Sequence, residues 1–304
     1  MTDFGAIITA MITPFKEEKP SEIDYLACEK LIKHLIKNGT DSLVISGTTG
    51  ESPTLTHDEE IELLKFTRDL LKKENSNAKI IFGAGSNCTQ TAITMSQRAE
   101  AGGADALLIV TPYYNKPNQK GLYEHYSLIA KATKLPIILY NVPGRTNISL
   151  QACTIASLVK DFPHIYGLKE ASTNFDLISK IRTQLDSSQF KIYSGDDSLT
   201  LPMLAIGADG VISVASHLVG NEMQEMFKEL KAGNIDLAKK IHLELFPLFE
   251  ALFTEPNPTC IKEALAILGL SSSKLRSPLV QLDSQQKESL KKVIDAVVKK
   301  KALV

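Results

Sequence analysis

The sequence predicts an α/β fold, a (β/α)8 TIM barrel with a C-terminal helical appendage. Three observations carry that prediction. A short run rich in Ile, Leu and Val recurs eight times; each run is followed by a polar or glycine-rich turn and a segment with helical spacing; and several runs are continuously apolar rather than alternating. Parallel strands covered by helices on both faces read as continuous apolar runs. An open doubly wound sheet shares the strand–helix alternation but normally carries a glycine-rich dinucleotide turn after its first strand. The first run here leads into Thr13-Pro14-Phe15, which is no such turn, and the barrel is preferred.

Taken in order, the expected strands are residues 6–12, 42–45, 80–83, 106–110, 136–140, 165–169, 191–194 and 210–214. Their spacing, mostly about 25 to 35 residues, matches the repeat of a (β/α)8 barrel. Between the first two, residues 22–37 place Ile23, Leu26, Leu31 and Leu35 on a repeating face, with Gly39 as the stop signal. Thr56-His57-Asp58-Glu59 fits a capping box ahead of a helix over 61–73. After Val214 the strand signal ends, and 222–231, 235–253, 257–268 and 284–300 read as helices broken at Gly233 and Gly269. The division expected is a barrel over 1–233 carrying the active site and a helical region over 234–304. The basic cluster Lys299, Lys300 and Lys301 reads as a solvated helix end.

The totals are those of an ordinary globular protein. Of 304 residues, 43% are hydrophobic and 23% charged, and 34 basic against 35 acidic side chains leave a net charge of −1. That balance gives no electrostatic reason to expect nucleic acid or an anionic membrane as partner. The four cysteines, Cys28, Cys88, Cys153 and Cys260, lie far apart with no CxxC pair, and read as reduced, mostly buried thiols. The N-terminal apolar run lacks a basic leader and is too short to span a bilayer, so a cytoplasmic protein is expected.

In such a barrel the chemistry sits on the loops after the strands. Those loops carry Ser46-Gly47-Thr48-Thr49-Gly50-Glu51, Thr111-Pro112-Tyr113-Tyr114-Asn115, Tyr140-Asn141-Val142-Pro143-Gly144-Arg145, Lys169-Glu170, Gly195-Asp196-Asp197 and Ile212-Ser213. One rim thus collects a lysine, tyrosines, paired threonines and an arginine, with no His/Cys cluster to suggest a metal and no histidine beside a nucleophile. Lys169 ends a strand that points into the barrel mouth. An ammonium held there loses hydration, and the neutral amine becomes available to attack a carbonyl; the competing reading is a lysine paired with Glu170. A Schiff-base lysine needs a proton shuttle, and Tyr140 ends the neighbouring strand, with Thr49 and Tyr114 able to extend a hydroxyl chain toward solvent. Arg145, in a tight loop, offers a planar guanidinium suited to a carboxylate.

Five of these motifs, in this order, resemble the dihydrodipicolinate synthase family, and the likeness extends to Glu255-Pro256-Asn257-Pro258 in the helical appendage. The resemblance implies a Schiff-base class I aldolase that condenses pyruvate with L-aspartate 4-semialdehyde to 4-hydroxy-tetrahydrodipicolinate, the first step of the diaminopimelate branch of lysine biosynthesis. It implies that Lys169 forms the imine, Tyr140 is the central acid/base, and Thr49 and Tyr114 complete the relay, Tyr114 from a neighbouring subunit. Thr48 would hold the pyruvate carboxylate, Arg145 the aldehyde's carboxylate, and Gly195 and Ile212 would approach pyruvate through backbone groups. No cofactor is implied, and a homotetramer is. Ser52, Pro53, His57, Glu60, Asn87 and Tyr113 match the family's lysine-feedback site, where Thr91 stands in place of the glutamate often found in sensitive members. Within the enzyme class, N-acetylneuraminate lyase or a keto-deoxy-sugar-acid aldolase shares the lysine and tyrosine, and Thr49 with Arg145 favours the semialdehyde. From another class, a metabolite-binding barrel would have no need of an imine-forming amine.

Overall fold

The computed structural model describes residues 3–298. Eight parallel strands close in sequence order into one barrel. They are β1 (Ile7–Ala10), β2 (Ser42–Ile45), β3 (Lys79–Gly83), β4 (Ala106–Val110), β5 (Ile137–Asn141), β6 (Ile165–Glu170), β7 (Lys191–Ser194) and β8 (Gly210–Ser213). The helices are α1 (Tyr25–Lys37), α2 (His57–Lys73), α3 (Thr89–Ala101), α4 (Gln119–Ala132), the single turn α5 (Pro143–Thr146), α6 (Ala152–Asp161), α7 (Phe175–Arg182), α8 (Thr200–Ala205), α9 (Ser216–Lys231), α10 (Ile235–Ala251), α11 (Thr259–Ile267) and α12 (Ser284–Val297). All eight expected strands form: β2, β4 and β7 keep the expected ends, and no end of the others moves by more than two residues.

Two cores follow from the alternation of the strands. Ile8, Val44, Ile81, Leu108, Ile138, Tyr140, Tyr193 and Ile212 fill the barrel, while Leu43, Leu107, Leu139, Leu168 and Ile192 face outward into the layer under the helices. The outer layer runs on through Leu245, Phe249, Ile261, Leu265 and Ile294, so the C-terminal helices share one core with the barrel. Among the described residues, no helix is long and apolar enough to cross a membrane.

One irregularity decides the site. Between β5 and β6 the register slips: Ile137 pairs with Ile165, but Ile138 pairs with Gly167. Tyr166 is therefore the extra residue of a bulge, and a one-residue insertion flips the facing of everything after it. Ile165 and Leu168 both point outward, although strict alternation would have put them on opposite faces. The flip brings Lys169 to the inside, opposite Tyr140 on one side and Tyr193 on the other.

A second regularity closes the other end of the barrel. Gly39-Thr40-Asp41, Gly103-Ala104-Asp105 and Gly207-Ala208-Asp209 each precede a strand with a glycine at positive φ, of 75°, 88° and 110°. The aspartates accept the first N–H groups of the preceding strand: Asp41 those of Ala6 and Ile7, Asp105 that of Ile80 (2.7 Å), Asp209 that of Ile192 (2.8 Å). Arg68 and Arg182 then bridge the last two units, each donating to the glycine carbonyl and to the aspartate.

Several expectations need correction. Helix α1 begins at Tyr25 because Asp24 caps it, accepting from Ala27 N. Leu26, placed on its apolar face from spacing, is 82% exposed; the buried stripe is Cys28, Leu31, Ile32 and Leu35, and Leu26 lies off it. Helix α9 starts six residues earlier than the expected 222, with a kink at Val219 where Gly220 lies too close to the Asn38 carbonyl for any Cβ. Cys88 and Cys153 are exposed and only Cys28 and Cys260 buried. The capping box of α2 is present as read, with Thr56 and Glu59 bonded reciprocally. The cluster Lys299 to Lys301 lies outside the described residues.

Candidate active site

Tyr140 and Lys169 are register partners near the C-terminal ends of β5 and β6. Each is only 7% exposed, and the Lys169 Nζ stands 4.5 Å from the centroid of the Tyr140 ring. Among the described residues, no carboxylate lies within ion-pairing distance of that nitrogen. Glu170, the suspected partner, points the other way: it is fully buried on the outer face, accepting from Asn141 Nδ2 at 2.7 Å and from Ser172 N at 2.8 Å. Burial raises its pKa above the ordinary carboxyl value. Asn141 is bound in turn to Ser149 Oγ and Leu150 N, which fixes the strand end carrying Tyr140.

The loop after β2 turns tightly. Ser46 and Glu51 take positive φ values of 54° and 56°, the left-handed region that costs a non-glycine residue. Thr48 is half-buried, Thr49 only 3% exposed. The Thr49 hydroxyl receives a hydrogen bond from Asn257 Nδ2 at 2.9 Å. Glu51, 2% exposed, forms an ion pair with Lys262 of α11, whose side chain is 0% exposed. The Lys262 Nζ also donates to the Lys274 carbonyl at 2.9 Å and sits 3.9 Å from the Phe15 ring centroid. Burial draws its pKa down to about 8 against the pull of Glu51. Neither Lys262 nor the Glu51 pairing was singled out from sequence; a lysine and a glutamate 211 positions apart carry no local signal.

A cavity of ≈ 440 Å³ opens beside this loop. Its walls gather Thr48 and Arg145, expected at the substrates, with Ser52, Pro53, His57, Glu60, Tyr113 and Thr91 from the expected effector set. Asn87 is not on the wall; its carbonyl accepts from Asn115 Nδ2 at 2.8 Å. Val110 and Val142 belong both to the cavity wall and to the interior cluster around Tyr140. Arg145 rides on the single turn α5, exposed and without a carboxylate partner among the described residues. Among the described residues, Glu60 is the only carboxylate on the wall. Burial raises its pKa to about 7, with His57 Nδ1 at 3.0 Å pulling the other way.

Gly195 follows the last residue of β7, and Ile212 is the penultimate residue of β8. The Gly195 N–H is already committed to the Glu170 carbonyl at 2.7 Å, leaving its own carbonyl free of that bond. Ile212 is 1% exposed in the interior cluster. The strand ends are braced by Asp197, fully buried, whose carboxyl accepts from Ser213 Oγ, Val214 N and Ala215 N. Burial raises its pKa to about 6 despite those donors. Tyr114 stands apart from everything above: 90% exposed, with a φ of 73°.

Relatives of known sequence and structure match the chain over nearly its whole length. The chain is 49% identical over 302 residues to the 4-hydroxy-tetrahydrodipicolinate synthase of Listeria monocytogenes serotype 4b (strain CLIP80459), covering 98% of this chain and 100% of that one. It is 50% identical over 298 residues to the enzyme of the same name from Cyanothece sp. (strain PCC 7425 / ATCC 29141), at 98% and 99% coverage. A crystal structure of the Cyanidioschyzon merolae synthase with lysine bound superposes with a TM-score of 0.93 at 43% identity, covering 97% of this chain and 98% of the other. The model of the Dihydrodipicolinate synthetase family matches residues 3–297, and the chain belongs to that family.

Proposed function

We infer that the chain is a lyase that condenses pyruvate with L-aspartate 4-semialdehyde to 4-hydroxy-tetrahydrodipicolinate, entering the diaminopimelate branch of lysine biosynthesis. The observation that carries this reading is Lys169, an amine held in an apolar barrel mouth with no carboxylate partner among the described residues and a phenol on the adjacent strand. The amine attacks the pyruvate carbonyl carbon, and the carbonyl oxygen leaves as water after taking protons through Tyr140. Loss of a methyl proton from the imine gives an enamine, whose carbon attacks the aldehyde. The imine nitrogen is itself the electron sink, so the reading calls on no cofactor.

Two observations support exchanging the roles first given to the paired threonines. A relay toward solvent needs a hydroxyl that opens outward, and Thr48 lines the cavity beside Tyr113 and Arg145. A carboxylate anchor needs a buried hydroxyl free to donate, and Thr49 is buried with its oxygen already accepting from Asn257. We therefore assign Thr48 to the relay with Tyr140 and Tyr114, and Thr49 to the pyruvate carboxylate. The backbone at Gly195 and Ile212 is assigned to the approach on pyruvate. Arg145, exposed and without a carboxylate partner among the described residues, receives the aldehyde's carboxylate. Tyr114 is supplied by a neighbouring copy within a homotetramer. Glu60 supplies the negative charge for a cationic amino-acid effector in the cavity where Thr91 cannot. With these substrates the enzyme is placed in the cytoplasm.

The test is covalent trapping. Borohydride reduction with pyruvate is expected to add mass to the peptide carrying Lys169 and to leave Lys169→Ala unmodified with its circular dichroism intact. An unmodified Lys169 peptide under turnover conditions would overturn the reading.

A further inference from the structure

We propose that Asn257, from the C-terminal helical region, is a positioning residue for pyruvate, setting the direction of the Thr49 hydroxyl proton; this rests on the assignment of Thr49 above. A threonine hydroxyl has one proton and two acceptor positions. Asn257 Nδ2 donates to Thr49 Oγ1 at 2.9 Å, which occupies one acceptor position and turns the hydroxyl's own proton away from the amide. Among the described residues no hydrogen bond takes up that proton. The hydroxyl is thus left with an unspent donor, as an anchor for an incoming carboxylate must be, before substrate arrives.

The amide shows the same design from its own side. Asn257 is 8% exposed, and its Oδ1 is buried without a partner. An orphaned buried acceptor is uncommon and calls for a reason, and holding the nitrogen toward Thr49 supplies one. The donor and its target are held in register by a second tie five residues further on, the buried Glu51–Lys262 ion pair between the same loop and α11. The helical region therefore grips the Gly47–Glu51 turn at two points, one through charge and one through the hydroxyl that faces substrate.

Isosteric substitution tests the direction of the proton. In Asn257→Asp a carboxylate faces Thr49, accepts its proton and repels the pyruvate carboxylate. The KM for pyruvate is expected to rise by about 10-fold or more at pH 8, the scale of one charge-assisted hydrogen bond, and to fall back as acidification protonates the new carboxyl. Asn257→Ala is expected to raise KM with no such pH dependence, and adding it to Thr49→Val is expected to raise KM no further than Thr49→Val alone. If Asn257→Ala does not fold, Asn257→Asp carries the test. An Asn257→Asp enzyme with wild-type KM would mean that an oxygen already faces Thr49, and losses in Tm and kcat at unchanged KM would mean a merely structural role; either overturns the proposal. A Thr49→Val enzyme with unchanged pyruvate KM would instead overturn the assignment of Thr49.

Discussion

Tyr140 and Lys169 meet because of register, and register is a property of single residues here. With Ile138 paired to Gly167, the phenol and the amine fall at the same level on neighbouring strands, both facing inward. A base that takes and returns protons at an imine has to stand beside the nitrogen throughout, and a strand partner does so with no loop to order. Tyr140→Phe keeps the ring under the Lys169 Nζ and removes only the hydroxyl. Turnover is expected to fall by about 10² to 10⁴-fold, the usual worth of general acid–base help, while borohydride trapping still marks Lys169 at a slower rate. Steady-state kinetics beside mass spectrometry would check this; near-normal kcat would remove the phenol from the mechanism. The sequence gives the identities of these two residues but not their facing. Alternation counted from Ile165 puts Lys169 on the outer face, and only the extra residue Tyr166 reverses it. Nothing in Tyr166-Gly167 distinguishes a bulge from ordinary strand, so the inward amine was legible from motif and rim position and not from periodicity.

The elements divide into those that local sequence determines and those that distant contacts determine. Strands such as Ala106–Val110 were readable because both faces are buried and every position is apolar. Helix α2 was readable because its capping box is local. Helix α11 was not readable as part of the site, since its polar residues are buried by partners far off in the chain. Its Lys262 pairs with Glu51 inside an envelope of Phe15 and Arg276, whose guanidinium carbon lies 4.5 Å from the same ring centroid. Arg276 extends the network to Glu59 and to the Thr54 carbonyl. A buried ion pair gives little net stability over an apolar substitute but is costly to break on one side. Lys262→Met is accordingly expected to lose about 3–5 kcal/mol in urea unfolding by stranding the Glu51 carboxylate. Glu51→Gln combined with Lys262→Met is expected to regain much of that loss. A double variant as weak as the sum of the singles would show that the two groups act independently and that α11 is not tied to the loop through them.

At the scale of the whole molecule the discordant residue is Tyr114. An aromatic side chain 90% exposed, on a backbone with φ of 73°, is unfavourable twice over in an isolated chain. Both costs make sense if the side chain is held out to enter the mouth of a neighbouring copy, as proposed above, and the fold of one chain then leaves its own relay one hydroxyl short. Complementation separates the two arrangements. Tyr114→Phe and Lys169→Ala should each be nearly inactive alone. In a mixed dimer the Lys169→Ala copy supplies an intact tyrosine to the site whose lysine belongs to its Tyr114→Phe partner, restoring one site of two. Random pairing of equal amounts makes half the dimers mixed, so refolding the two variants together should recover about a quarter of wild-type specific activity if two-fold contacts exchange the tyrosines. A tyrosine acting within its own chain would give no more than the average of the two inactive parents at any mixing ratio, and the exposed, strained residue would then need a different explanation.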